Sequence, residues 1–272
     1  MNQQRFVSRY GPWAVVTGAS DGIGRAIAVD LAARGLSLVL VARRREVLEA
    51  LAAELRQRHS IQVQVQAADL SSPEAVEQLA ASTASLDVGL VVAAAGFGGS
   101  GPLLEADLAT ELGMVDVNCR ALLHVSVLFG RRLVKRGRGG LVLFSSLVAF
   151  QGVPRAANYA ATKAYVQSLA EGLRLEIGQH GVDVLASAPG PVVTGFGARA
   201  DMRITSGLTP QQVARGTLAA LGGSSSTVRP GFLSKFLEAS LSLLPRWGRS
   251  LALAQVMYGM TKHQRSLPGG TR

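Results

Sequence analysis

An apolar run, Trp13-Ala-Val-Val-Thr17, passes straight into Gly18-Ala-Ser-Asp-Gly-Ile-Gly24, and an alanine-rich helical segment follows. Strand, glycine turn and helix in this order leave few architectures open. A strand that is apolar throughout is buried on both faces and needs helices above and below it. Gly18, Gly22 and Gly24 permit the tight turn and let a pyrophosphate approach the backbone. The free N–H groups and the positive end of the helix then attract phosphate. Ser20, Asp21 and Ile23 lie in the same turn and join the glycines as candidate dinucleotide contacts.

The alternation continues along the chain. Leu36 to Val41 reads as a second strand and Ile61 to Gln66 as a third, less buried one. Val88 to Ala93, Leu141 to Ser145 and Val182 to Ser187 follow as the fourth to sixth, with a short seventh near Val228. Helices are expected over Ala26 to Arg34, Glu46 to Arg58, Ser72-Pro73 to about Ala84, Asn118 to Lys135, Asn158 to Gln179, and Pro210 to Leu221. Two βαβαβ halves predict an α/β fold of Rossmann type: a doubly wound parallel sheet of about seven strands flanked by helices. The 272 residues suit one domain, with a core over about 12–230 and a helical C-terminal extension over about 231–272.

Cys119 is the only cysteine, which excludes an intrachain disulfide and a cysteine-based zinc site; no metal is expected. Met1 to Tyr10 is polar and lacks an apolar signal core, so a cytoplasmic placement is expected. The net charge is +10, and residues 229–272 carry seven Lys/Arg against one Asp/Glu. No aromatic interleaving or nucleic-acid module accompanies that charge, so nucleic acid is not an expected partner. A solvated basic face and peripheral contact with an acidic membrane both remain open.

The end of the second strand distinguishes NAD from NADP. A carboxylate there binds the ribose 2′-hydroxyl, and an arginine favours the 2′-phosphate. The chain reads Val41-Ala42-Arg43-Arg44-Arg45, with no acid before Glu46. Arg43 is best placed to clamp the phosphate with its bidentate guanidinium, so NADP(H) is expected over NAD(H). The plainer reading is a solvent-facing basic run that opens a helix against its dipole.

Tyr159 and Lys163 are four apart on an expected helix and share a face. A neighbouring ammonium favours phenolate, which suits Tyr159 to exchange a proton with a substrate oxygen. Ser145 and Ser146 follow the fifth strand, where a sheet of this kind presents ligand-binding groups, and either hydroxyl can reach the same oxygen.

Together these motifs resemble the short-chain dehydrogenase/reductase family in its single-domain form, over roughly residues 12–230. Thr17 to Gly24 resembles the cofactor turn, Asp69-Leu70 the adenine-contacting pair, and Tyr159-Ala-Ala-Thr-Lys163 the YxxxK motif. Pro189-Gly190-Pro-Val192-Val-Thr194 resembles the PG motif, whose threonine holds the nicotinamide amide. The resemblance implies that Tyr159 is the acid/base and that Lys163 binds the nicotinamide ribose and lowers the tyrosine pKa. It also implies that Ser146, thirteen residues before the tyrosine, holds the carbonyl, and that Asn118 supports a water-mediated proton relay. The family commonly carries Asn-Asn-Ala-Gly after the fourth strand, and this chain has Ala93-Ala94-Ala95-Gly96. Ala95 and Gly96 keep backbone contact with the cofactor available. A homodimer or homotetramer is implied as well.

The tail and the Trp-Ala-Val-Val-Thr-Gly opening more weakly resemble the branch of 3-ketoacyl-CoA and hydroxysteroid reductases. That implies reduction of a small hydrophobic ketone or acyl thioester to the alcohol. A non-catalytic NADP(H) sensor or scaffold has no need of the Ser/Tyr/Lys set, and an NAD-dependent alcohol dehydrogenase sits poorly with Arg43. By analogy, residues from Thr194 to about Leu208 form a mobile substrate loop, with Phe196, Met202 and Ile204 able to line an apolar pocket. In the tail, Phe232, Phe236, Leu237, Leu241 and Leu244 make one helical stripe and Leu253, Val256, Met257 and Met260 a second, divided near Pro245. Such helices can pack on the domain or a sister subunit, roof a greasy substrate, or lie on a membrane.

Overall fold

A computed structural model describes residues 2–231 and 243–264. Its strands are β1 (Trp13–Thr17), β2 (Ser37–Ala42), β3 (Val63–Ala67), β4 (Val88–Ala93), β5 (Gly139–Phe144), β6 (Val182–Ser187) and β7 (Thr227–Val228). The helices among the described residues are α1 (Gln3–Tyr10), α2 (Gly22–Ala33), α3 (Arg45–His59), α4 (Pro73–Ser82), α5 (Leu108–Val115), α6 (Leu122–Arg136), α7 (Ala157–Gly178), α8 (Gly195–Arg199), α9 (Pro210–Ala220) and α10 (Arg246–Met260). All strands run parallel in one sheet ordered β3-β2-β1-β4-β5-β6-β7. The chain moves outward from β1 to β3, then returns to β4 beside β1 and moves out the other way. This is the expected doubly wound α/β sheet, and its crevice opens where the order reverses, at the C-terminal ends of β1 and β4.

Successive β1 residues feed two cores. Ala14 and Val16 join Ile27 and Leu31 of α2, Leu48 and Leu55 of α3, and Val213 and Leu218 of α9. Trp13 and Val15 join Leu79 of α4, Phe129 and Leu133 of α6, and Val166 of α7. A fully buried side chain of this size contributes about 1.5–3 kcal/mol, so the two apolar layers dominate the stability of the sheet. Local chemistry sets the helix starts. Ser72 Oγ accepts the Ala75 N–H with Pro73 in the first turn, and Thr209 and Gln212 cap α9 reciprocally.

Three features depart from the sequence expectations. The polar N-terminus forms α1, which is capped by Asn2 and buries Phe6 and Tyr10. The Tyr10 hydroxyl donates to Asp183 Oδ2 at 2.6 Å, and Arg9 pairs with the same carboxylate of β6. Second, the helix expected from Asn118 starts ten residues earlier, at Leu108. A widened π turn over Asp116–Ala121 joins α5 to α6. Third, α10 turns Leu253, Met257 and Met260 inward, but Val256 is 47% exposed and leaves the expected stripe. Helical geometry puts Val256 about 100° away from Met257, beyond the buried face. The first tail stripe, apart from Leu244, lies outside the described residues.

Candidate active site

The turn after β1 is built for close approach. Gly18 has φ +68°, and a Cβ there would lie 2.8 Å from the Ala94 carbonyl oxygen. Gly22, Ile23 and Gly24 form the first turn of α2, with Asp21 as its cap. Asp21 accepts the Gly22 N–H at 2.7 Å and pairs with Arg199 Nη1 at 2.9 Å. Burial works against its carboxylate, but Arg199 and the Gly22 N–H outweigh that and hold its pKa below the usual range. Ser20 is fixed differently: Arg44 donates to its carbonyl at 3.2 Å and to its hydroxyl at 3.1 Å.

Arg43, at the end of β2, lies near Asp69 after β3. The Ser71 backbone N–H donates to Asp69 Oδ1 at 3.0 Å, and this bond, aided by the Arg43 charge, lowers the Asp69 pKa. Leu70 beside it is buried. The sequence expectation thus separates into two arginines, with Arg43 on the Asp69 side and Arg44 on the glycine turn.

The floor of the crevice is rigid although Ala93-Ala94 replaces two asparagines. Thr17 Oγ1 accepts the Ala95 N–H at 3.0 Å and ties β1 to the loop after β4. Asn118 sits in the π turn and reaches back to the same loop. Its Oδ1 accepts the Phe97 N–H at 3.1 Å, while its Nδ2 donates to the Phe97 carbonyl at 2.9 Å and to Thr162 Oγ1 at 3.1 Å. A Cβ on Gly96 would come within 2.8 Å of Asn118 Oδ1, so a side chain there would break this clamp. The Asn118 amide is committed to the fold, which makes it a positioning group.

The Ser146 hydroxyl lies close enough to the Tyr159 phenol to favour its ionised form. Ser145 points the other way and donates to the Lys163 carbonyl at 3.1 Å. Adjacent extended residues face opposite sides of the sheet, so of the two serines it is Ser146 that turns toward Tyr159. Lys163 is buried and donates from Nζ to the Phe144 carbonyl at 2.8 Å. Burial pushes its pKa down to about 8. Burial also pushes Tyr159 up to about 12, with Ser146 pulling the other way. The sequence expectation of a lowered phenol is thus reversed. Lys163 Nζ lies 5.8 Å from the Tyr159 ring centre and is turned to a carbonyl, so loss of hydration governs the phenol.

The segment after β6 completes the site. The Pro189 carbonyl accepts the Leu147 N–H at 3.0 Å, which joins Pro189-Gly190 to the Ser146 loop. Val192 bridges to Leu208. Thr194 Oγ1 accepts the Phe196 N–H at 3.1 Å and caps α8. The Thr194 methyl lies 3.3 Å from where a Gly22 Cβ would stand, so the PG segment meets the cofactor turn.

Above Tyr159, residues Phe196, Met202 and Ile204 join Val153, Leu253, Met257 and Met260 in one apolar cluster. The Tyr159 and Phe196 ring centres are 5.4 Å apart. The inner face of α10 therefore packs in the same apolar cluster as Tyr159. Polar contacts fasten that packing: Gln264 Nε2 donates to Ser100 Oγ at 2.8 Å, and Arg155 Nε donates to Thr261 Oγ1 at 2.7 Å. An adjoining cleft is lined by Ser100, Leu103, Glu111, Arg155, Asn158 and Tyr159. Arg44, Arg199, Glu111 and Arg155 were not candidates from sequence. Only the basic run at Arg43 to Arg45 carried a signal for any of them.

The profile of the short chain dehydrogenase family matches residues 12–203. A 7beta-hydroxysteroid dehydrogenase of Clostridium sardiniense is 34% identical over 189 residues, which is 70% of this chain and 72% of that protein. A very-long-chain 3-oxoacyl-CoA reductase of Podospora anserina is 38% identical over 185 residues, covering 66% of this chain and 54% of that protein. The solved structure of a short-chain dehydrogenase from Sphingobium yanoikuyae in complex with NADPH superposes with a TM-score of 0.77. It is 26% identical and covers 96% of this chain and 99% of that one. The matched span contains the glycine turn, Ser146, Tyr159 and Lys163, and the chain is an oxidoreductase of the short-chain dehydrogenase/reductase family.

Proposed function

We infer that this enzyme is an NADPH-dependent reductase of hydrophobic ketones or 3-ketoacyl-type carbonyls. The observation that carries the reading is the Tyr159 phenol beside Ser146, packed in one apolar cluster with Phe196 and the inner face of α10. A phenol pushed up to about 12 keeps its proton at neutral pH and is therefore set to give it to a carbonyl oxygen. The nicotinamide cofactor, when bound, supplies the reducing equivalent to the carbonyl carbon. Tyr159 supplies the proton, and the Ser146 hydroxyl donates to the same oxygen as negative charge develops on it. Lys163, on α7 with its Nζ at the end of β5, would bind the ribose, and Asn118 holds Thr162 and Phe97 in place around it.

The residues fit the cofactor. Gly18 to Gly24 leave room for the phosphates, Asp69 and Leu70 stand at the adenine side, and Ala95, Gly96, Pro189, Gly190, Val192 and Thr194 border the crevice. Arg43 favours the 2′-phosphate of NADP(H) over NAD(H). The named relatives act, by their names, on a hydroxysteroid and on very-long-chain 3-oxoacyl-CoA, which supports a hydrophobic substrate. Exposed Leu108, Leu112, Val115, Leu123 and Val127 on α5 and α6 support a homo-oligomer built on that face.

The test is NADPH oxidation with medium- and long-chain ketones and 3-ketoacyl thioesters, run beside a titration of NADPH binding. Tyr159→Phe should lower turnover by about a hundred- to ten-thousandfold with NADPH binding retained. Full turnover in that variant would remove Tyr159 from the chemistry.

A further inference from the structure

Helix α10 has a second face. α10 contains no acidic residue and is apolar nearly all round. Its inner face packs in the Tyr159 cluster, yet Leu244, Trp247, Leu251 and Tyr258 lie on the outside at spacings of three, four and seven. Trp247 is 69% exposed and Leu251 60%, and Leu243 just before them is 85% exposed. A helix that is apolar on both faces is normally buried on both.

The charges around this stripe share one sign. Arg246 and Arg249 stand in the first turn of α10. Arg155 stacks 5.6 Å from the Tyr258 ring, and Lys262 follows the helix. The Met260 carbonyl accepts the Arg203 N–H at 2.9 Å, which brings Arg203 to the same end. Among the described residues the one acid there, Asp201, is paired with His263 and bonded by Gln264. The apolar face on α5 and α6 differs, since it carries Asp107, Glu111, Asp116 and Arg120 among its leucines, a mixture suited to protein. A tryptophan and a tyrosine on a cationic, acid-free helix match the boundary layer of an anionic bilayer.

We propose that the outer face of α10, with Trp247 and Leu251 as its anchors and Arg246 and Arg249 as its charge, docks the enzyme on an anionic lipid surface. Membrane contact then sits on the opposite side of the helix that packs in the Tyr159 cluster. On the reductase reading above, this places the substrate entrance beside lipid-dissolved carbonyl compounds.

The experiment uses the full chain with vesicles of phosphatidylcholine alone or with one-third phosphatidylserine. Retention on sedimentation and tryptophan emission are both read. The chain has two tryptophans, and Trp13 is 9% exposed in the core, so a blue shift on vesicle addition reports Trp247. The expected result is retention and a blue shift with acidic vesicles, reduced at about 0.5 M salt, where screening is strong. Each arginine at an anionic surface contributes about fivefold to partitioning, so Arg246→Glu with Arg249→Glu should lower it by about 25-fold or more. Trp247→Ser with Leu251→Ser should abolish retention, and their exposure leaves NADPH titration as the check on folding. No retention by the wild type, or equal retention by the Trp247/Leu251 variant, would overturn the proposal. So would a dimer lost in that variant in the absence of lipid, which would make the face a protein interface. Neither readout needs turnover, so failure of the reductase assignment would be seen separately.

Discussion

Arg199 Nη1 lies 2.9 Å from Asp21 Oδ2 and joins residues 178 positions apart. One stands in the segment that covers the substrate side, and the other caps the helix that faces the cofactor phosphates. A carboxylate at that helix end competes with phosphate for the same positive potential, and the arginine offsets it.

Arg199→Ala should therefore act on cofactor affinity more than on stability. Both side chains are partly exposed, so the pair contributes at most about 1 kcal/mol to folding. NADPH binding should weaken by about three- to tenfold as the uncovered Asp21 charge faces the pyrophosphate. Thermal melting and fluorescence titration measure the two effects. A large fall in melting temperature with unchanged affinity would contradict this division.

Arg43 and Arg44 should separate in their effects on cofactor choice. Arg43→Ala removes a charged partner for the 2′-phosphate and should lower NADPH affinity by about ten- to a hundredfold, leaving NADH unchanged. Arg44→Ala frees Ser20 in the glycine turn and should weaken both cofactors alike. Parallel titrations with NADPH and NADH check both outcomes.

Lys163 should give the pH dependence of cofactor binding. Burial places its pKa at about 8, so the free enzyme loses the ammonium as pH rises through that value. NADPH affinity should then fall by up to about tenfold per pH unit, and Lys163→Met should flatten the profile. Folding responds with the opposite sign. Between about pH 8 and the ordinary lysine value of 10.5, the unfolded chain holds a proton that the folded chain has released, so this residue makes folding more favourable as pH rises. Tyr159 opposes it from 10.0 to about 12, where the folded chain keeps the proton and stability falls. Denaturant titrations of the wild type and the two single variants resolve these slopes.

Asn118→Ala should destabilise the protein by about 1–3 kcal/mol, because the Phe97 N–H and carbonyl lose a buried partner. Turnover should fall with it, since Thr162 under the Tyr159 turn also loses its donor. Urea unfolding together with steady-state rates would show whether the two losses travel together.

Local pattern carried much of this fold. The expected bounds of β1, β4 and β6 agree with the structure to the residue, because each is a short, mostly apolar run that starts just after a proline, acidic or glycine residue. β2, β3 and β5 shift by one or two residues, where alternation or flanking glycines blur the edge. The pairing of Tyr159 with Lys163 on one helix face was legible from helical spacing. Ser146 was preferred to Ser145 by the family pattern, and in the structure the two hydroxyls face opposite sides. What escaped were contacts between distant segments. Arg199 meets Asp21, Asn158 Nδ2 meets Glu111 Oε2 at 2.7 Å, and Arg155 meets Thr261, and none of these leaves a periodic signature. The phenol of Tyr159 was misjudged for a related reason: spacing brings the ammonium near, but enclosure by Phe196 and its apolar cluster comes from elsewhere in the chain.

The anchoring of α1 on β6 bears on the order of assembly. Arg9 and Tyr10 are bound to Asp183, so the first ten residues leave the ribosome long before their partner does. Until then Phe6 and Tyr10 have no complete site, and the half-sheet of β1 to β3 lacks its neighbours. Contacts of such long sequence separation are slow to form, and they close late. The opening segment of this chain is thus among the last to be secured, and it acts as a check that the second half of the sheet has been built.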